Sequence, residues 1–94
     1  MVKGELRTFR ITLEATAESV LGYVYVQEIP PGASAETREI LPSVFADFDA
    51  HGDLLGVEFT DAQKADAVLM GQLASTLDAP ELAGIDLARM CAIR

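Results

Sequence analysis

Four polar side chains lie close together in the middle of the sequence: Asp47, Asp49, His51 and Glu58. Together with Gly52 they match the spacing of the calcium-binding EF-hand loop. Histidine is a poor ligand for a hard cation, however, and the residues before Asp47 alternate like a strand, whereas an EF-hand loop follows a helix. The sequence therefore predicts no metal site and no cofactor at these residues.

The same residues include carboxylates of the kind that serve as general acids and bases in catalysis. Asp47 and Asp49 are two residues apart on one predicted strand face, a spacing from which a general acid–base pair can be built. Such a pair is more often the solvated side of a hairpin, and the single cysteine, Cys91, stands among apolar residues without a nearby histidine. The sequence predicts no catalytic residue, and Asp47, Asp49, His51 and Glu58 remain weak candidates for a polar site.

Composition excludes several classes of protein. The 94 residues suffice for one domain, and 15 acidic against 7 basic residues give a net charge of −8. The bases are scattered, which disfavours nucleic-acid binding, and no apolar stretch is long enough to span a membrane. The lone cysteine and the absence of a signal-peptide pattern at the start of the sequence favour a cytoplasmic protein.

Apolar residues that alternate with polar ones predict a small antiparallel sheet of about four strands. Strands are expected at 6–13, 20–29, 44–49 and 54–60, with a short extended segment at 36–41 and a hairpin turn at 50–53. Thr60 and Gln63 have the spacing of a capping box, so a helix is expected to start within a residue or two of Asp61. One or two helices over 61–94 would pack on the sheet and complete a single α+β domain.

The segment 20–29 is apolar on both faces. Tyr23 and Tyr25 point to one side of this predicted strand, and Val24 and Val26 point to the other. C-terminal helices can cover only one of these faces. We therefore expect the other face, valine or tyrosine, to be an interface, and a homodimer is the partner that the pattern favours.

The middle of the chain resembles a small prokaryotic family known as domain of unknown function 2283. The resemblance covers a core of about 20–62 and lies in GYVYV at 22–26, PG at 31–32, ETREI at 36–40 and the hairpin ADFDAHGDLLGVEF at 46–59. It implies a small antiparallel sheet with a helix packed on it, and it implies no reaction. It also suggests an association with toxin–antitoxin-like gene pairs.

Three functions are compatible with these observations. The first is a non-catalytic protein-interaction module that self-associates, as the two apolar faces of 20–29 suggest. The second is a small ligand-binding or enzymatic domain that uses the hairpin carboxylates. The third is an antitoxin-like partner of a basic protein, in agreement with the net charge.

Overall fold

Alternating apolar residues form five antiparallel strands in the computed structural model, which describes residues 10–93. The strands are β1 (Arg10–Ala15), β2 (Val20–Tyr25), β3 (Glu36–Leu41), β4 (Val44–Phe48) and β5 (Leu54–Phe59). The predicted α+β class is confirmed, and the extended segment 36–41 adds a strand to the four that were expected. The predicted strand residues 6–9 lie outside the described part of the chain.

The strand order across the sheet is β1-β2-β5-β4-β3. Three of the strand pairs join strands that follow each other in the sequence: β1–β2, β3–β4 and β4–β5. The fourth pair, β2–β5, joins strands that are far apart in the sequence. β5 is therefore the central strand and joins the first hairpin to the rest of the sheet. This topology brings together side chains that are more than 30 residues apart in sequence, such as those of Tyr23 and Glu58.

The helical part follows β5. A short 3-10 turn (Ala62–Lys64) leads into α1 (Ala67–Thr76), and a second 3-10 turn (Pro80–Gly84) leads into α2 (Leu87–Ile93). None of the described helices is long and apolar enough to cross a membrane.

A helical turn does begin at Ala62, next to Asp61 as predicted, but it is a 3-10 turn without a side-chain cap, and the α-helix begins only at Ala67. Asp66 caps α1, and its side chain accepts a hydrogen bond from the Leu69 N–H at 3.0 Å. Thr60 still belongs to the end of the sheet, where its hydroxyl donates to the Ser43 carbonyl at 3.2 Å. Thr60 therefore does not cap a helix, and the 3-10 turn that follows it has no side-chain cap.

The helices cover one face of the sheet. Valine and phenylalanine side chains of β2, β4 and β5 form a core with the helical residues Met70, Leu73, Leu82 and Leu87. Val24 at the centre of β2 is fully buried there. Leu21, Tyr23 and Tyr25, which point to the opposite side, are only half-buried. The strand is therefore not covered equally on both sides, and the tyrosine side has no helix on it within residues 10–93.

Candidate functional site

The candidate site is the face of the sheet that points away from the helices, called here the outer face. Residues directly opposite each other in antiparallel strands share a face, so the face can be followed through the register from Tyr23 and Tyr25. Its members in the described chain are Arg10, Thr12, Glu14, Leu21, Tyr23, Tyr25, Thr37, Glu39, Phe45, Asp47, Gly56 and Glu58. The face combines aromatic rings with carboxylates.

Tyr23 lies across the central strand over Gly56. A Cβ atom added to Gly56 would stand only 2.6 Å from the Tyr23 hydroxyl oxygen and closer still to the ring. No other residue type can occupy this position unless the tyrosine moves. The Tyr23 hydroxyl thus reaches β4, where it donates a hydrogen bond to Asp47 Oδ2 at 2.6 Å.

Asp47 is the midpoint of a hydrogen-bonded chain. Its Oδ1 accepts from the Thr37 hydroxyl on β3, while its Oδ2 accepts from Tyr23. Hydrogen bonds to a charged acceptor are stronger than those between neutral groups. The chain from Tyr23 through Asp47 to Thr37 therefore fixes the outer face from β2 to β3.

Burial and the neighbouring carboxylate both raise the pKa of the Tyr23 hydroxyl. Partial burial, the hydrogen bond to Asp47 and the negative charges of Asp47 and Glu58 raise the pKa of Tyr23 far above its ordinary value of 10.0. The phenol thus stays protonated at neutral pH. Tyr23 serves as a hydrogen-bond donor that orders the face, and it is unsuited to act as a base or a nucleophile.

Arg10, which lies against Tyr25, is the one cation of the outer face within residues 10–93. The guanidinium carbon of Arg10 lies 3.8 Å from the centre of the Tyr25 ring, the arrangement of a cation–π interaction. The rings of Tyr23 and Tyr25 are themselves in contact, with centres 4.5 Å apart and planes tilted by 51°. The aromatic residues of β2 thus form a continuous strip.

The hairpin turn holds Asp49 and His51 away from this face. Asp49 Oδ1 accepts from the N–H groups of His51 at 2.8 Å and Asp53 at 2.9 Å, and Gly52 has a φ of 85°. The turn predicted at 50–53 is therefore confirmed. The Asp53 backbone N–H, ahead of that of His51, lowers the pKa of Asp49.

The four polar candidates do not form one constellation. Asp47 and Glu58 are on the outer face, whereas Asp49 and His51 belong to the turn. The expected pairing of Asp47 and Asp49 on one strand face was wrong, because β4 ends at Phe48 and the Asp49 carboxylate turns back to the backbone. Within residues 10–93, no group of three or more His, Cys, Asp or Glu could hold a metal ion.

The four predicted interface residues lie on opposite faces of the sheet. Tyr23 and Tyr25 are half-buried on the outer face, but Val24 is 0% exposed and Val26 is 6% exposed. The two valines cannot contact another chain while the domain is folded. Sequence reasoning missed Phe45, Thr37 and Arg10, because only the register of β1, β3 and β4 places them beside the tyrosines.

Comparison with known proteins adds one finding. Residues 23–63 match the family model described as "Protein of unknown function (DUF2283)". Searches of curated proteins and of solved structures found no match. The matched segment runs from Tyr23 in the second half of β2 through β5, and it includes the Tyr23–Asp47–Thr37 chain and Gly56. The resemblance predicted from the sequence is confirmed over residues 23–63, which are similar to the DUF2283 family, a family of unknown function.

Proposed function

We propose that the protein is a small, non-catalytic, cytoplasmic protein-interaction module that acts through the outer face of its sheet. One observation carries the proposal: the helices cover only one face, and Tyr23, Tyr25 and Phe45 remain half-exposed on the other. Aromatic residues that combine an apolar ring with a polar group are enriched at protein interfaces. A sheet face that presents several of them together is a natural surface for another chain.

The order of the outer face supports binding. Tyr23 is held by Asp47, and Asp47 is held by Thr37, so these side chains have little rotamer freedom left to lose. A surface that is already ordered loses less conformational entropy when it binds. Binding by such a face needs no rearrangement of the sheet.

The enzymatic alternative has less support. Both oxygens of Asp47 already accept hydrogen bonds from neighbouring hydroxyls, and the phenol of Tyr23 stays protonated. Asp49 is engaged with the backbone of its own turn. These groups are used to shape the sheet and the hairpin, which leaves no paired acid and base facing a common point.

The charge of the outer face bears on the identity of the partner. Among the described residues, four carboxylates of this face oppose a single guanidinium, that of Arg10: Glu14, Glu39, Asp47 and Glu58. Two copies placed face to face would bring their carboxylates together, and like charges across an interface weaken binding. We therefore favour a different protein as the partner, and the homodimer expected from the sequence remains a prediction.

Site-specific photo-cross-linking tests the proposed surface. The photoreactive residue p-benzoylphenylalanine would replace either Thr12 on the outer face or Gln72 on α1, both of which are exposed. In cells that produce the protein, we expect discrete protein adducts from position 12 and none from position 72. Equal adducts from both positions, or no adduct from position 12, would contradict the proposal.

Light scattering separates a second copy from another protein. The purified chain is expected to keep a mass near 10.1 kDa at low ionic strength, because its outer-face carboxylates repel one another. Twice that mass, lost in a Tyr25→Asp variant that still melts cooperatively, would support the homodimer instead. A Val68→Asp variant is the matched control, since Val68 is 72% exposed on α1.

A further inference from the structure

We infer that the outer face binds an arginine-bearing basic segment of the partner protein. The inference depends on the proposed function, because it specifies the chemistry of the partner at that same face. The observation behind it is that carboxylates lie beside aromatic rings on the outer face of the sheet.

Glu58 is the centre of the inferred site. It lies on the central strand, directly opposite Tyr23 on β2 and Phe45 on β4. Its side chain is exposed, and no described cation pairs with it. An exposed carboxylate between two aromatic residues offers a cation both a charged acceptor and a ring face.

Carboxylates extend this pattern across the face. Glu14 on β1 and Glu39 on β3 are both exposed and lie on either side of the Tyr23–Glu58–Phe45 row. The only cation that shares the face within residues 10–93 is Arg10, which is already stacked on Tyr25. The complementary partner is therefore positively charged.

Arginine fits this surface better than lysine. A guanidinium group is planar, so it can lie flat on an aromatic ring while its edge donates two hydrogen bonds to a carboxylate. The chain already makes the stacking half of this interaction, with Arg10 at 3.8 Å from the centre of the Tyr25 ring. Tyr23 and Phe45, beside Glu58, present rings to which no described cation is bound.

Three short fluorescent peptides test the inference on the full chain. In one, arginine alternates with serine; in the second, lysine replaces arginine; in the third, glutamate does. We expect the arginine peptide to bind about two- to fivefold more tightly than the lysine peptide, the difference that a surface cation–π contact supplies. The glutamate peptide should not bind, and added salt should weaken both basic peptides.

Two pairs of variants locate the site. Glu58→Gln removes a charge from the outer face, and Glu18→Gln removes one from the exposed turn between β1 and β2. We expect several-fold weaker binding only for Glu58→Gln, since both variants change the net charge equally. Phe45→Leu keeps an apolar side chain without a ring and should reduce the preference for arginine over lysine; Val68→Leu on α1 should leave it unchanged. Thermal melting would show that each variant is folded.

The outcomes are distinct from those of the cross-linking test. Equal weakening by Glu18→Gln and Glu58→Gln would show unspecific attraction to an acidic protein and overturn the inference. So would equal affinity for arginine and lysine peptides, or no binding of either. If cross-linking from position 12 still gives adducts, the interaction module stands and only the basic partner is refuted. A doubled mass that depends on Tyr25 would assign the face to a second copy.

Discussion

Replacement of Gly56 by alanine is the most direct perturbation of the outer face. The new methyl group would meet the ring and hydroxyl of Tyr23, within 2.6 Å of the hydroxyl oxygen. Backbone at the centre of a sheet cannot retreat, whereas the half-buried tyrosine can turn outward. We therefore expect Tyr23 to leave its position and to lose its hydrogen bond to Asp47.

The size of the effect follows from two opposing contributions. A hydrogen bond to a charged acceptor contributes about 1.5–3 kcal/mol to stability. Alanine in place of glycine stabilises a strand by about 0.5–1 kcal/mol, because it restricts the unfolded chain. The net expectation is a loss of about 0.5–2.5 kcal/mol, or a melting temperature lower by about 2–20 °C in a domain of this size.

A double-mutant cycle in urea and thermal denaturation measures this coupling. In a Tyr23→Ala background no ring opposes the new methyl group, so Gly56→Ala should be neutral or slightly stabilising. Gly71→Ala on α1 is the matched control, because an added Cβ there meets no atom within 4 Å, and it should gain up to about 1 kcal/mol. If Gly56→Ala lowered the free energy of unfolding equally with Tyr23 present and in the Tyr23→Ala background, the steric argument would be refuted.

Three further results are expected. Asp49→Asn should destabilise the protein at neutral pH. The difference in unfolding free energy between variant and wild type should shrink as the pH falls below 3.8, the ordinary pKa of aspartate, because a lowered pKa stabilises the fold only while the carboxylate is charged. A constant difference in urea denaturation from pH 7 to pH 2 would contradict this. The raised pKa of Tyr23 means that the protonated phenol stabilises the fold below pH 10, and this stabilisation is lost as the pH rises further. Tyr23→Phe should therefore remove part of the alkaline unfolding that circular dichroism follows in the wild type. Unchanged alkaline unfolding in this variant would contradict the role given to the Tyr23 hydroxyl. Millimolar calcium or zinc should not shift the melting temperature, since the EF-hand-like residues are divided between the sheet and the turn; a shift of several degrees that disappears in Asp47→Ala would restore the metal site.

Local patterns predicted most of the elements, because strands and turns are encoded by neighbouring residues. The hairpin at 50–53 followed from an aspartate that binds its own turn and a glycine with positive φ. The start of α1 did not follow, because Thr60 and Asp66 both have the chemistry of a helix cap. In the folded chain Thr60 is bonded to Ser43 in the sheet, and Asp66 is the residue that caps α1.

The outer face could be predicted only in part. The alternation of β2 placed Tyr23 and Tyr25 on one side, but it could not tell which side the helices cover. The partners of the tyrosines come from other strands: Arg10 from β1, Asp47 from β4 and Glu58 from β5. Their positions depend on strand order and register, which a single sequence does not specify when β5 pairs with both β2 and β4.

The fold also joins two sequence features that seemed independent. The acidic composition suggested solubility or a basic partner, and the tyrosines suggested an interface. In the folded chain some of the acidic residues share a surface with the tyrosines, since the helices bury the valine side and leave the tyrosine side with Glu14, Glu39 and Glu58. An aromatic face alone would favour a second copy, because apolar patches are self-complementary. The carboxylates among the rings would make two such faces repel, and this is the basis of our proposal that the surface binds a cationic partner in preference to a second copy.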